Sequence, residues 1–87
     1  MEQPPMKILS TPISVLAWFE LNGKPHPVRF KLDGKEIKIE QIISMTEEKI
    51  AGNWVLLFKC QSNIDGELKP FELKHELNTC KWYLWKM

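Results

Sequence analysis

The sequence is poor in the features that many enzymes, metal sites and membrane proteins need. Its two cysteines, Cys60 and Cys80, form no C-x-x-C pair, so neither a disulfide framework nor a thiolate zinc site is expected. No apolar run is long enough to cross a membrane, and we expect no membrane partner. The formal net charge of +1 argues against strong non-specific DNA binding, which needs a clearly basic domain.

Catalytic motifs are also missing. The patterns G-x-S-x-G and H-E-x-x-H and the phosphate loop do not occur. His26 lies between two prolines, which is typical of a solvated turn. His75 has no cluster of Cys, Asp or Glu around it, so it lacks a ligand set. We therefore predict no enzyme, no metal and no cofactor. A small enzyme centred on His75 is the alternative to a histidine at the rim of the fold.

The length and composition indicate one small domain. Of the 87 residues, 44% are hydrophobic, which is enough for a compact core. Residues 1–12 combine three prolines, which cannot donate to a strand ladder, with Met6, Ile8 and Leu9. We expect an extended N-terminal arm over 1–12, partly packed on a domain of residues 13–87. The first seven residues are unlike a signal peptide, which indicates a cytoplasmic protein.

The most apolar stretch, residues 53–61, organises the rest of the chain. It contains Val55 and two aromatic residues among its apolar side chains and is flanked by turn residues, as strands are. Side chains alternate between the two faces of a strand. Trp54 and Leu56 therefore lie on one face, and Val55 and Leu57 lie on the other. A strand that is apolar on both faces is expected to be central, and what covers its second face bears on function.

Three short strands are predicted before the central one, over residues 13–21, 28–32 and 35–45. Asp33 and Gly34 favour a type I′ turn, because both central positions of that turn need a positive φ. A two-residue turn at this position places Phe30 opposite Ile37.

The third of these strands breaks its alternation at Gln41, which predicts a bulge near that residue. A short helix over 40–50 is the alternative. Residues 46–52 are expected to connect this strand to the central one.

Two later hairpins extend the scheme. A turn at Asp65 and Gly66 places Phe58 opposite Leu73. A turn at Asn78 and Thr79 then places Leu73 opposite Leu84. Apolar side chains meet at nearly every position, and a slip of one residue would expose the whole set.

The predicted fold is all-β. About six short antiparallel strands form a single meander that curls into a barrel or roll of the SH3-like, small-barrel type, either closed or open. The predicted inner face comprises Val15, Ala17, Phe19, Val28, Phe30, Ile37, Ile39, Ile43, Trp54, Leu56, Phe58, Phe71, Leu73, Leu77, Trp82 and Leu84.

The outer face carries a second apolar set, and a monomer rarely leaves a large apolar patch in water. The candidate binding residues are Trp18, Ile42, Val55, Leu57, Tyr83 and Trp85. They predict an interaction module for a protein partner or a second copy of the chain. The alternative is single-stranded nucleic-acid binding through these aromatics and nearby lysines. The terminal strand, residues 83–87, either offers a free edge or closes the sheet against the first strand.

The layout also resembles that of short uncharacterised bacterial β-domains. The resemblance rests on Pro27-x-x-Phe30, Gly34, Ile37-x-Ile39-x-x-Ile42 and Trp54. It covers residues 25 to 75 and implies a small bacterial cytosolic domain of unknown function, with no catalytic residue to transfer.

Overall fold

The computed structural model describes residues 6–87 as one antiparallel sheet of seven strands. The sheet has the strand order β3-β2-β1-β7-β6-β5-β4 and curls into a half-barrel, which confirms the predicted all-β fold. The strands are β1 (Ile8–Phe19), β2 (Pro25–Leu32), β3 (Lys35–Lys38), β4 (Gln41–Ile50), β5 (Asn53–Ile64), β6 (Glu67–Glu76) and β7 (Trp82–Lys86).

The predicted pairing registers are confirmed. Phe30 pairs with Ile37 across the first glycine turn. Phe58 pairs with Leu73, and Leu73 in turn pairs with Leu84. Two-residue turns with positive φ at both positions set the β2–β3 and β5–β6 registers. A longer loop, residues 77–81, joins β6 to β7, and the expected pairing survives it.

The third predicted strand is in fact two strands. Ile39 and Glu40 separate β3 from β4, which lie at opposite edges of the sheet. The bulge predicted near Gln41 is present and falls after Ile42, where the pairing with β5 skips Ile43. Residues 41–50 are strand, so the helical alternative is wrong.

Hydrogen bonds hold Ile39 and Glu40, which connect the two edge strands, against β2 and β5. The Ile39 amide donates to the Val28 carbonyl at 2.8 Å, which prolongs the pairing of β2 with the chain beyond β3. The Glu40 amide donates to the hydroxyl of fully buried Ser62 at 3.0 Å. The Glu40 carboxylate accepts from the Asn63 amide at 2.7 Å. The two bonds of Glu40 fasten the start of β4 to β5.

Several predicted boundaries differ from the structure. The second strand begins at Pro25 rather than at residue 28, so His26 lies in β2 rather than in a turn, and the first strand ends at Phe19 rather than at residue 21. The first strand begins at Ile8 rather than at residue 13, because residues 8–13 pair with β7. Residues 1–5 of the predicted arm lie outside the described residues. The expected connection over 46–52 continues as β4 to Ile50 and then turns at Ala51 and Gly52.

The core lies inside the half-barrel. Phe71, Leu73 and Leu84 are fully buried, and the Phe30 ring lies 5.4 Å from the Phe71 ring. Phe58 is buried beside Trp82, at 5.7 Å between ring centroids. The inner parity predicted for the middle of β5, β6 and β7 is therefore correct.

Four residues assigned to the inner face are instead exposed. Ile43 is the bulged residue of β4, so its side chain leaves the alternation. Phe19, Trp54 and Leu77 lie at one end of the sheet. At this end β1, which runs antiparallel to β7, extends beyond the first residue of β7. The face of the sheet predicted for these three side chains was correct, but the buried core does not extend as far as this end of the sheet.

Candidate interaction surface

The structure separates the six candidate binding residues. Ile42 pairs with Cys60 and packs against the core, since the bulge at Ile43 changes the face of every residue before it. Ile42 is therefore not part of the outer surface. Trp18 lies on β1, away from the remaining four, and its side chain is exposed.

The remaining four candidates surround Lys74 on the outer face of β5, β6 and β7. We define the Lys74 cluster as Val55, Leu57, Lys74, Tyr83 and Trp85. Leu57, Lys74 and Tyr83 form one row across the three strands. The Lys74 ammonium lies 4.7 Å from the Tyr83 ring and 4.3 Å from the Trp85 ring.

The Lys74 cluster is largely closed to solvent. Val55, Leu57 and Lys74 are all buried, and the two aromatic rings are half-buried. A lysine can lay its aliphatic stem over apolar neighbours while its charge interacts with aromatic faces. The patch predicted as a docking surface is therefore covered in large part by its own side chains.

Exposed apolar side chains occur at several places in the described residues, and four of them, Leu16, Trp18, Phe19 and Leu21, lie together on the β1–β2 hairpin. Among the described pairings, β7 reaches along β1 only to Ile13, and β3 reaches along β2 only to Arg29. The rest of the hairpin is a two-stranded extension of the sheet. A bulge at Val28, which the β1 pairing skips, bends it.

This extension is apolar on both faces. Leu16 and Trp18, on the outer face, are 64% and 51% exposed, and Phe19, on the inner face, is 60% exposed. Leu21, in the loop, is fully exposed. Leu16 and Trp18 are neighbours on the outer face, and exposed apolar side chains of this size mark interaction sites.

A shallow groove of about 350 Å³ lies at the base of the extension. It lies over the paired strands β1 and β2 and reaches β3, and its lining residues are Ser14, Val15, Leu16, Arg29, Phe30, Lys31 and Glu36. The Arg29 guanidinium donates to the Glu36 carboxylate at 2.9 Å. The groove thus combines one exposed aliphatic side chain with cations on one side.

An aromatic stack adjoins the groove. The Trp18 and His26 rings lie 4.5 Å apart with an interplanar angle of 20°. The two residues are paired across the hairpin, so the backbone register holds the rings together. Half of the Trp18 surface remains open to solvent, and an incoming group could pack against it.

Charge is distributed unequally between the two halves of the sheet. Residues 6–40 carry six Lys and Arg against four Asp and Glu, whereas residues 41–87 carry six of each. Within the described residues, Glu36 takes Arg29 as its ion-pair partner, and neither Lys31 nor Lys38 forms an ion pair. Both lysine side chains lie on the outer face of the sheet beside the groove, so this face is locally positive.

His75 lies on the inner face rather than in an open site. It is buried and stacks on Trp82 at 4.1 Å, and its Nδ1 atom has no hydrogen-bond partner in the described residues. Burial lowers its pKa from 6.5, and a hydrogen bond with the Lys81 backbone opposes that shift. The ring is held neutral beside an apolar neighbour, as expected of a core histidine.

The cysteines differ in their surroundings. Cys60 is buried, and desolvation followed by the nearby Glu72 charge raises its thiol pKa to about 12. Such a thiol is not a nucleophile at neutral pH. Cys80 is exposed in the β6–β7 loop.

Within residues 6–87, no group of three or more His, Cys, Asp and Glu side chains is placed to hold a metal ion. The same part of the chain contains no helix long and apolar enough to span a membrane. Comparison with known proteins found no matching family model, no matching curated protein and no matching solved structure.

The terminal strand is not an edge. β7 lies between β1 and β6, so it closes the sheet against the first strand, which was the second of the two predicted arrangements. The edges of the described sheet are β3 and β4.

Sequence reasoning placed Leu16 in the apolar set of the outer face but missed Phe19, Leu21 and Arg29 as surface residues of interest. The available signal was the turn composition of residues 22–27, of which 22–24 lie between β1 and β2 and allow a hairpin to reach beyond the core.

Proposed function

We propose that this protein is a non-enzymatic interaction module that binds a protein partner through the β1–β2 extension. The observation that carries the proposal is the exposure of Leu16, Trp18, Phe19 and Leu21 on a hairpin that has sheet neighbours only at its base. A two-stranded ribbon has little stability of its own, and covering its apolar side chains would stabilise it.

The Lys74 cluster supports this choice of surface by contrast. Its residues are mainly buried within the chain, so a partner would remove little further apolar area from water there. The hairpin offers four large side chains that are half or more exposed. Tryptophan is also enriched among the residues that contribute most to binding energy.

Site-specific photo-crosslinking tests the proposal. A photoreactive phenylalanine analogue replaces Trp18 in one variant and Tyr83 in a matched control, and both are irradiated in extracts of the source cells. The proposal predicts a discrete protein adduct from position 18 and none from position 83. Equal labelling from both positions, or no adduct from position 18, would contradict it.

A second copy of this chain is one candidate partner. Light scattering over a wide range of protein concentration distinguishes self-association from binding to another protein. A dimer that dissociates when Leu16 is replaced by serine would identify the partner as the chain itself.

Single-stranded nucleic acid is the second candidate ligand. The observation in its favour is the Trp18–His26 stack beside Arg29, Lys31 and Lys38, because base stacking and a basic rim are the usual elements of such sites. Titration of a labelled oligothymidine at low salt tests it, since backbone electrostatics are strongest there. No binding at low salt would exclude this function.

A further inference from the structure

We infer that the groove between β1 and β2 takes a segment of a partner protein that carries one or two carboxylates next to an apolar side chain. This inference rests on the proposed function and specifies the chemistry of the partner. It follows from the lining of the groove and from the charges beside it.

The apolar part of the recognition comes from Leu16. Its side chain is 64% exposed at the edge of the groove, and Trp18 lies next to it on the same face of β1. A partner side chain that packs in the groove would cover Leu16 and the accessible part of the indole. Removing such apolar area from water is the main favourable contribution to most protein associations.

The charge preference comes from β2 and β3. Arg29 is already paired with Glu36, so its charge is compensated inside the protein. Lys31 lines the groove, and Lys38 pairs with Arg29 in the strand register. Neither of the two lysines forms an ion pair in the described residues. Two uncompensated ammonium groups beside an apolar groove complement carboxylates and disfavour a cationic partner.

A nucleic acid fits this groove less well. A polyanion would need cations along its whole path, and the groove offers them only at β2 and β3. With only two uncompensated lysines, few counterions would be released on binding, so the electrostatic contribution would be small.

A membrane surface also fits poorly. Leu16 and Trp18 lie on one face of the hairpin and Phe19 on the other, so the three side chains cannot enter one bilayer surface together.

Selection from a displayed library of random peptides tests the inference on the full chain. The wild-type protein is the target, and each selected peptide is then titrated against Lys31→Glu and Lys81→Glu variants. Lys31 and Lys81 are both exposed and both lack an ion pair in the described residues, so the two reversals change the net charge equally. A Leu16→Ser variant reports on the apolar contact.

The inference predicts peptides that combine Asp or Glu with a large apolar residue. Their affinity should fall about tenfold in Lys31→Glu, because an attractive contact becomes a repulsive one, and should be unchanged in Lys81→Glu. Affinity should also fall in Leu16→Ser. Near-identical circular dichroism spectra for all variants establish that the differences arise from binding rather than from unfolding.

The remaining outcomes separate this inference from the proposed function. Neutral or basic peptides that require Leu16 would refute the carboxylate preference and leave the interaction module standing. Acidic peptides that bind equally to Lys31→Glu would place the site elsewhere. If no peptide is enriched, both ideas fail. Binding of oligothymidine or of phosphatidylserine vesicles that is lost in Lys31→Glu would overturn the inference in favour of those ligands.

Discussion

Replacing Lys74 by alanine should destabilise the protein, although an outward-facing lysine on a sheet is usually replaced at little cost. Lys74 is only 7% exposed, and its ammonium lies between 4 and 5 Å from two aromatic rings. Its stem lies on the outer face of the central strands, beside Leu57. The lysine therefore acts as part of a second, small core.

The magnitude follows from the groups that alanine removes. Three buried methylenes beyond the Cβ of Lys74 contribute roughly 2.4 kcal/mol, at about 0.8 kcal/mol each. Two cation–π contacts add about 1 kcal/mol each. Freeing the ordered lysine side chain returns up to about 2 kcal/mol. The net loss is about 2 kcal/mol, which is a large fraction of the stability of a small domain.

Urea denaturation followed by circular dichroism measures this loss as a lower midpoint at unchanged slope. Two further variants serve as controls. Lys59→Ala removes an exposed lysine from the same face of β5 and should change stability by less than about 0.5 kcal/mol. Lys74→Met keeps most of the stem and should cost less than the alanine variant. The reasoning is refuted if Lys74→Ala is as stable as Lys59→Ala.

Three further predictions concern the pH dependence, one turn and the thiols. In the unfolded chain His75 takes up a proton below about pH 6.5, whereas burial lowers its pKa in the folded protein. The free energy of unfolding of the wild type should therefore fall as the pH falls below about 6.5, by at most about 1.4 kcal/mol per pH unit. Thermal melts of a His75→Phe variant should lack this component, and an identical pH profile would contradict the assignment. Ala51→Asn should raise the free energy of unfolding by about 0.5–1 kcal/mol and with it the urea midpoint, because Ala51 has a φ of 51° that asparagine tolerates better. An unchanged midpoint would mean that the turn is not strained. A thiol reagent should label Cys80 alone in the folded protein and both cysteines in denaturant, and rapid labelling of Cys60 in the folded protein would contradict its burial.

The strand registers were predictable because tight turns are local structures. Asp33-Gly34 and Asp65-Gly66 carry φ values that these residues accept, and a two-residue turn fixes the pairing on both sides. The Ala51-Gly52 turn has the same geometry but was missed, since alanine is not a usual residue at a left-handed position.

The candidate surface was predictable only in part. The parity of Trp18, Val55, Leu57 and Tyr83 was correct, because alternation holds within an uninterrupted strand. Ile42 was assigned to the wrong face because the sequence indicated a bulge near Gln41 without fixing its exact residue, and the bulge falls at Ile43. A bulge reverses the faces of all residues on its far side, so a small error in its position changes the whole assignment.

By itself, the sequence determined the all-β class, the main hairpins and the composition of the central core, because turn chemistry and strand alternation act between neighbours in the chain. Only the tertiary structure decided which apolar residues are covered. Val55 and Leu57 are buried because β6 and β7 bring Lys74 and the aromatic rings over this face, whereas Leu16 is exposed because the sheet ends before it can cover the hairpin. Burial depends on the lengths of strands that are distant in sequence, and no local pattern encodes it.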